Sequence, residues 1–110
     1  MILESVGFIA RRDKTKELQA GLSFLLGPTR VESGCVGCHL YQEVANPNCF
    51  RFESVWTTQA DFIRHLRSDN YRQVLILMEL SSEPPDVQFH TISDTHGLEL
   101  VHATRQQQIR

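Results

Sequence analysis

The stretch Glu53-Ser54-Val55-Trp56-Thr57-Thr58-Gln59-Ala60-Asp61-Phe62-Ile63-Arg64-His65-Leu66-Arg67-Ser68-Asp69-Asn70-Tyr71 decides how this chain folds. Its first residues alternate: Phe50, Phe52, Ser54 and Trp56 share one face of a strand, and Arg51, Glu53 and Val55 share the other. Thr58 and Asp61 then have capping-box spacing in its broader form, which opens a short helix packing through Phe62 and Leu66. Ser68 caps a second helix, with Tyr71, Val74, Leu75 and Met78 at i, i+3, i+4 and i+7. A tight turn between strand and helix folds the helix back over the sheet. The indole of Trp56 and the imidazole of His65 are thereby brought toward one place.

Outward from this stretch, Ile2 to Arg11 alternates loosely and reads as a first strand. Asp13 or Thr15 opens a helix whose Leu18, Leu22, Leu25 and Leu26 form an apolar stripe, and Gly27-Pro28 is expected to end it. Strand two is expected from about Cys35 to Val44, and Ala45-Asn46-Pro47-Asn48 supplies turn residues into strand three. Pro84-Pro85 stops helical continuation, Val87 to Ile92 reads as a fourth strand, and Leu98 to His102 as a last short one. The order β-α-β-β-α-α-β-β predicts an α+β fold, the ferredoxin-like split βαβ plan with an antiparallel sheet. Helices cover one sheet face. A second copy of the chain is the economical cover for the other, giving a closed barrel of two sheets.

Composition bounds the function. A chain of 110 residues makes one domain, expected over residues 1–103 with a polar tail at 104–110. The apolar share of 41% is ordinary for a globular domain, and no apolar run spans a bilayer. A net charge of −2 lacks the basic stripe of a nucleic-acid binder. The N-terminus has an acid at Glu4 and no basic region before its apolar part, unlike a signal peptide. A cytoplasmic protein with neither nucleic-acid nor membrane partners is expected.

Cys35-Val36-Gly37-Cys38-His39 matches the string for covalent haem attachment. It runs straight into a strand, however, and an extended strand points Cys35 and Cys38 to opposite faces. No helix follows for a thioredoxin-like pair, and Cys49 and the five histidines lack zinc-ligand spacing. Reduced, partly buried thiols and no metal are expected.

The segments Glu32-Ser33-Gly34-Cys35-Val36-Gly37-Cys38-His39-Leu40-Tyr41, Phe52-Glu53-Ser54-Val55-Trp56 and Ala60-Asp61-Phe62-Ile63-Arg64-His65-Leu66-Arg67-Ser68 resemble the antibiotic biosynthesis monooxygenase family of dimeric α+β barrels. The resemblance implies a homodimer with one pocket per subunit between sheet and helices. Family members include cofactor-free oxygenases of quinols and phenolic polyketides, haem-degrading enzymes and an isomerase. The haem-degrading branch's site residues align with Gly7, His65 and Leu75, a poor match. The polyketide-oxidising branch retains only Trp56, with Phe52 and Phe62 at its other site positions. The quinol monooxygenase-like branch is the closest likeness, through Trp56, then His65, then Leu66 and a capped helix. Where that branch often carries a second histidine, this chain has Asn70.

The chemistry expected is oxygenation without a cofactor. A phenol or hydroquinone, once deprotonated, gives an electron to dioxygen. The protein binds an electron-rich ring, removes a proton and excludes water. His65 is the candidate base and Trp56 the stacking ring and N–H donor. Phe52, Phe62, Asn70 and Tyr71 are the candidate substrate-binding residues. The competing readings are structural: Trp56 as a core anchor, and His65 satisfying carbonyls at a helix end. Two other functions fit the same residues, an acid–base isomerase using His65 and a non-catalytic module that binds a small aromatic ligand.

Overall fold

The computed structural model describes residues 1–108. Strand β1 (Ile2–Ile9) is followed by helix α1 (Thr15–Arg30), strands β2 (Cys35–Gln42) and β3 (Cys49–Trp56), and helices α2 (Gln59–Leu66) and α3 (Asp69–Leu77). A short 3₁₀ turn (Met78–Leu80), strand β4 (Asp86–Thr91) and helix α4 (Leu98–Gln108) complete it. The strands lie in the order β2-β3-β1-β4, every neighbouring pair antiparallel. This is the α+β, ferredoxin-like plan. Among the described residues no helix is long and apolar enough to cross a membrane.

Period-two alternation sorts the sheet into two faces. Val6, Phe8, Phe50, Phe52 and Cys38 turn inward and meet Leu18, Leu22 and Leu25 of α1 and Tyr71 and Val74 of α3. Glu4, Ser54 and Trp56 lie on the same buried face at the other end of the strands. On the outer face Arg51 donates to the Ser5 hydroxyl at 2.6 Å, and Ser5 donates to Glu53 at 3.1 Å. Arg51 also lies 3.6 Å from Asp86 and crosses directly over Gly7, where a Cβ would collide with its guanidinium. Beside it an open cavity of about 500 Å³ is lined by Tyr41, Cys49, Arg51, Glu83 and Asp86.

Four local expectations are corrected. Helix α1 runs through Gly27-Pro28 to Arg30. Its last turn is held by tertiary contacts: Thr29 is buried, and Arg30 donates to the Cys38 carbonyl at 3.0 Å. The carbonyl Pro28 leaves free belongs to Phe24, on the solvent side, so the proline costs less than in a buried helix. Second, Cys35 and Cys38 share a face. Cys35 pairs with Trp56, Gly37 with Val55 and Cys38 with Ser54, so Val36 is an extra residue that rephases the strand. Third, Leu75 is 52% exposed and leaves the stripe that Tyr71 and Val74 form. Fourth, Leu98 to His102 is helical, as the first turns of α4. Its Leu-Glu-Leu-Val alternation pairs with neither edge of the sheet, and the glutamines, Ala103 and Arg105 that follow favour a helix.

The C-terminal part stands apart from the core. All of β4 is exposed, and α4 makes no sustained contact with sheet or helices, leaving Leu98, Leu100 and Val101 uncovered. The radius of gyration, 16.7 Å, exceeds the ~13 Å of a compact chain this long for that reason.

Candidate active site

The site begins with a cap and a glycine. Thr58 accepts from the Asp61 N–H at 3.1 Å and donates to the Asp61 carboxylate at 2.8 Å, so α2 starts at once after β3. Asp61 is further held by Arg64 at 2.7 Å, and hydrogen bonds from Arg64, Thr58 and Thr57 keep its carboxyl below the usual carboxylate range. Gly34 adopts φ +82°, a left-handed conformation, and the Asp61 side chain occupies the space a Cβ would need. The Gly34 carbonyl accepts from the Thr57 N–H at 3.0 Å. This turn pins the α1–β2 loop against α2 and sets Glu32 beside His65.

The buried centre is a chain of polar contacts inside an aromatic shell. Trp56 and His65 are stacked, with ring centroids 4.3 Å apart and planes 23° apart. Tyr71 meets the imidazole edge-on at 5.2 Å. The Trp56 N–H donates to Ser54 at 2.9 Å, and Ser54 donates to Glu4 Oε1 at 3.1 Å. His65 Nε2 lies 3.4 Å from that same oxygen, an ion-pair contact more than a well-aligned hydrogen bond. On the other side His65 Nδ1 lies 3.0 and 3.1 Å from the two oxygens of Glu32, which also accepts from Asn70 at 3.0 Å. His65 is 1% exposed and Trp56 is fully buried.

Charge follows from this geometry. Burial pushes the His65 imidazole toward neutrality, but the carboxylates of Glu4 and Glu32 outweigh it and hold the ring above its ordinary value. Nδ1 meets Glu32 at hydrogen-bond distance and Nε2 lies in ion-pair contact with Glu4, so the favoured form is an imidazolium. Burial, reinforced by the Glu4 charge, raises the Tyr71 phenol, which stays neutral. Burial likewise pushes the Cys38 thiol up to about 12. Among the described residues no group of three His, Cys, Asp or Glu is placed to hold a metal ion.

The expected site residues divide into three sets. Trp56 and Tyr71 both touch His65, and Asn70 joins it through Glu32. Phe62 lies at the margin, its ring edge-on to Phe89 of β4 at 5.1 Å. Phe52 is in the apolar core, paired with Val6 and Leu40. In place of an open cavity between Trp56 and His65, the two rings fill the space themselves. His65 does not cap α2: its own carbonyl accepts from the Ser68 hydroxyl at 2.6 Å, and its ring turns inward to the carboxylates. The sequence reading missed Glu4 and Glu32. Glu4 had a signal, a lone acid on the inward face between Ile2 and Val6. Glu32 had none, because a left-handed turn and not a periodicity places it.

Comparison with known proteins bears on this arrangement. Protein sll1783 of Synechocystis is 25% identical over 87 residues, 78% of this chain, and the chain spans 59% of that relative's length. Rv0793 of Mycobacterium tuberculosis superposes with a TM-score of 0.79 at 23% identity, over 87% of this chain and 98% of its own, a likeness of fold. SO0527 of Shewanella oneidensis gives 0.74 at 26% identity, over 81% and 87%. The sequence model of antibiotic biosynthesis monooxygenases matches residues 1–75, which run from β1 through the whole Glu4–His65–Glu32 centre, and the chain belongs to that family.

Proposed function

We propose that this chain is a cofactor-independent monooxygenase acting on a quinol or a comparable electron-rich phenol. The observation that carries the reading is the Trp56–His65 stack sealed between two carboxylates. It offers a proton-handling network and the exclusion of water from reactive intermediates, with the aromatic Phe62–Phe89 pair at its margin. For a hydroquinone the reaction balances as hydroquinone plus dioxygen giving hydroxyquinone plus water. One oxygen atom becomes the new ring hydroxyl, the other leaves as water, and all four electrons come from the substrate. Removing the phenolic proton is the step the protein must promote, since the phenolate is the better electron donor. Trp56 and His65 are the catalytic pair in this reading, with Phe62, Asn70 and Tyr71 near the ring and Phe52 supporting from the core.

Oxygen uptake with a panel of hydroquinones in metal-free buffer tests the proposal. Stoichiometric uptake with hydroxyquinone formed supports it. Ligand binding without oxygen uptake makes the chain a binding module instead.

The active unit is a homodimer in this proposal, because the outer sheet face leaves Ile9 and Tyr41 uncovered beside half-buried Leu3 and Val55. Light scattering at micromolar concentration should give twice the chain mass, and a monomer mass rejects that assembly.

A further inference from the structure

The centre contains two carboxylates and one imidazole, and its free atoms are unevenly distributed. Glu4 Oε1 is shared by Ser54 and His65, and both Glu32 oxygens face His65 Nδ1. His65 Nδ1 meets Glu32, and Nε2 stands 3.4 Å from Glu4 Oε1 without closing a hydrogen bond. Glu4 Oε2 is the other buried atom of this centre without a hydrogen-bond partner and, as a carboxylate oxygen, it is an acceptor. A buried carboxylate oxygen without a partner is costly unless something takes that place. The Tyr71 phenol lies within weak hydrogen-bonding reach of Glu4, and Oε2 still closes no bond of ordinary geometry.

We propose that Glu4 Oε2 is the atom that receives the ligand's hydroxyl proton, and that His65 remains an imidazolium throughout, holding Glu4 in place. The proposal rests on the phenol or quinol reading of this site and changes which residue is the base. The ligand O–H bond breaks, an O–H bond forms at Glu4, and the phenolate is left beside the imidazolium and the indole. No outside oxidant is needed for this step.

A substrate class follows. Two carboxylates, Glu4 and Glu32, flank the one imidazole. Arg30, at the end of α1, donates its Nε–H to the Cys38 carbonyl on the neighbouring strand. Ser54 and Asn70 carry no charge. A ring bearing its own carboxylate or sulfonate would face both acids, so a neutral hydroxyl donor is the favoured ligand. The route also follows from register. The cross-strand neighbour of Glu4 toward the sheet edge is Phe89, half exposed on the edge strand β4, and its ring meets Phe62. Parting the Phe62–Phe89 pair admits a flat ring to Glu4.

A chromophoric phenol, 4-nitrophenol, reads the proton directly and without turnover. Well below the pH at which the free probe ionises, wild-type protein should bind it with appearance of the phenolate absorption band. Glu4→Gln should still bind it, by quenching of the single tryptophan, Trp56, but leave the band at the level of free probe. Should Glu4→Gln not fold, Glu4→Asp carries the test, because withdrawing the carboxylate by one methylene must weaken the band. A band that persists in these variants, or wild-type binding without a band, overturns the assignment. So does failure of the wild type to bind. The turnover arm is separate: Glu4→Gln should regain oxygen uptake as pH rises through the substrate's own ionisation, since a phenolate needs no base. Absence of uptake in every protein sinks the monooxygenase reading and leaves the probe result standing.

Discussion

Glu4-Ser5 on β1 and Glu53-Ser54 on β3 are the same dipeptide on two antiparallel strands, and the register pairs Glu4 with Ser54 and Ser5 with Glu53. The sheet thus carries two serine–glutamate pairs, one on each face, both with the serine donating at 3.1 Å. Their surroundings differ. The outer pair is completed by Arg51, a permanent cation that reaches solvent and also faces Asp86. The inner pair is completed by His65, whose charge depends on pH, in a place closed to water. The same two side chains make a solvent-facing brace on one face and a sealed contact with an imidazole on the other. What separates them is burial and the choice of cation.

Activity breaks the comparison most sharply. His65→Ala should lower oxygen uptake by roughly 10²–10⁴, the scale of disabling a general base, because Glu4 loses the group that holds it in place. Glu53→Gln should leave uptake within about twofold, since surface charge pairs contribute little. Comparable losses from the two would show that the inner network is structural.

Stability comes next. Glu4→Ala removes one partner of a buried ion pair and should cost about 3–5 kcal/mol in urea unfolding. Glu53→Ala should cost roughly 0–1 kcal/mol. Equal costs would mean that burial does not distinguish the faces.

The pH dependence sharpens the contrast. The folded chain holds the His65 proton more tightly than an unfolded one, against the pull of burial, through Glu4 and Glu32. Its stabilisation is therefore complete below the ordinary histidine value of 6.5 and is lost as pH rises through the higher folded value. Each tenfold gain in proton affinity is worth about 1.4 kcal/mol. Thermal unfolding of the wild type should weaken over that window, and His65→Gln should flatten the profile. Arg51 lies on the opposite face of the sheet from His65, so Arg51→Ala should leave the slope unchanged.

Trp56→Phe is the smallest effect. The ring remains and the N–H bond to Ser54 is lost, so ligand binding should weaken by about 1 kcal/mol, roughly fivefold. A loss as large as that of His65→Ala would give the indole N–H a direct part in the chemistry.

The split βαβ order was legible because Phe50, Phe52, Ser54 and Trp56 alternate cleanly and because Thr58 and Ser68 announce their helices. Trp56 and His65 were legible for the same reason, since strand and helix periods aim both side chains inward. The rest depended on long-range terms. Helix α1 passes Pro28 because Arg30 finds a carbonyl on β2. Glu32 reaches His65 because Gly34 turns left-handed over Asp61. Helix α4 reads as a strand because a few alternating residues do not outweigh the helix-favouring residues that follow them.

The extra residue at Val36 is a spare unit of length in β2. Gly37 already pairs with Val55 and Cys35 with Trp56, so losing Val36 leaves both partners in place and turns the bulge into a regular ladder. Cys35 keeps its inward face, and the loop carrying Gly34 and Glu32 still leaves the sheet beside Trp56. A loss farther along the strand, at Leu40, has no such slack: Cys38 is carried to the outer face and its place in the core is lost. A single codon can therefore disappear at the start of β2 without disturbing the imidazole's neighbours, and cannot disappear from its middle.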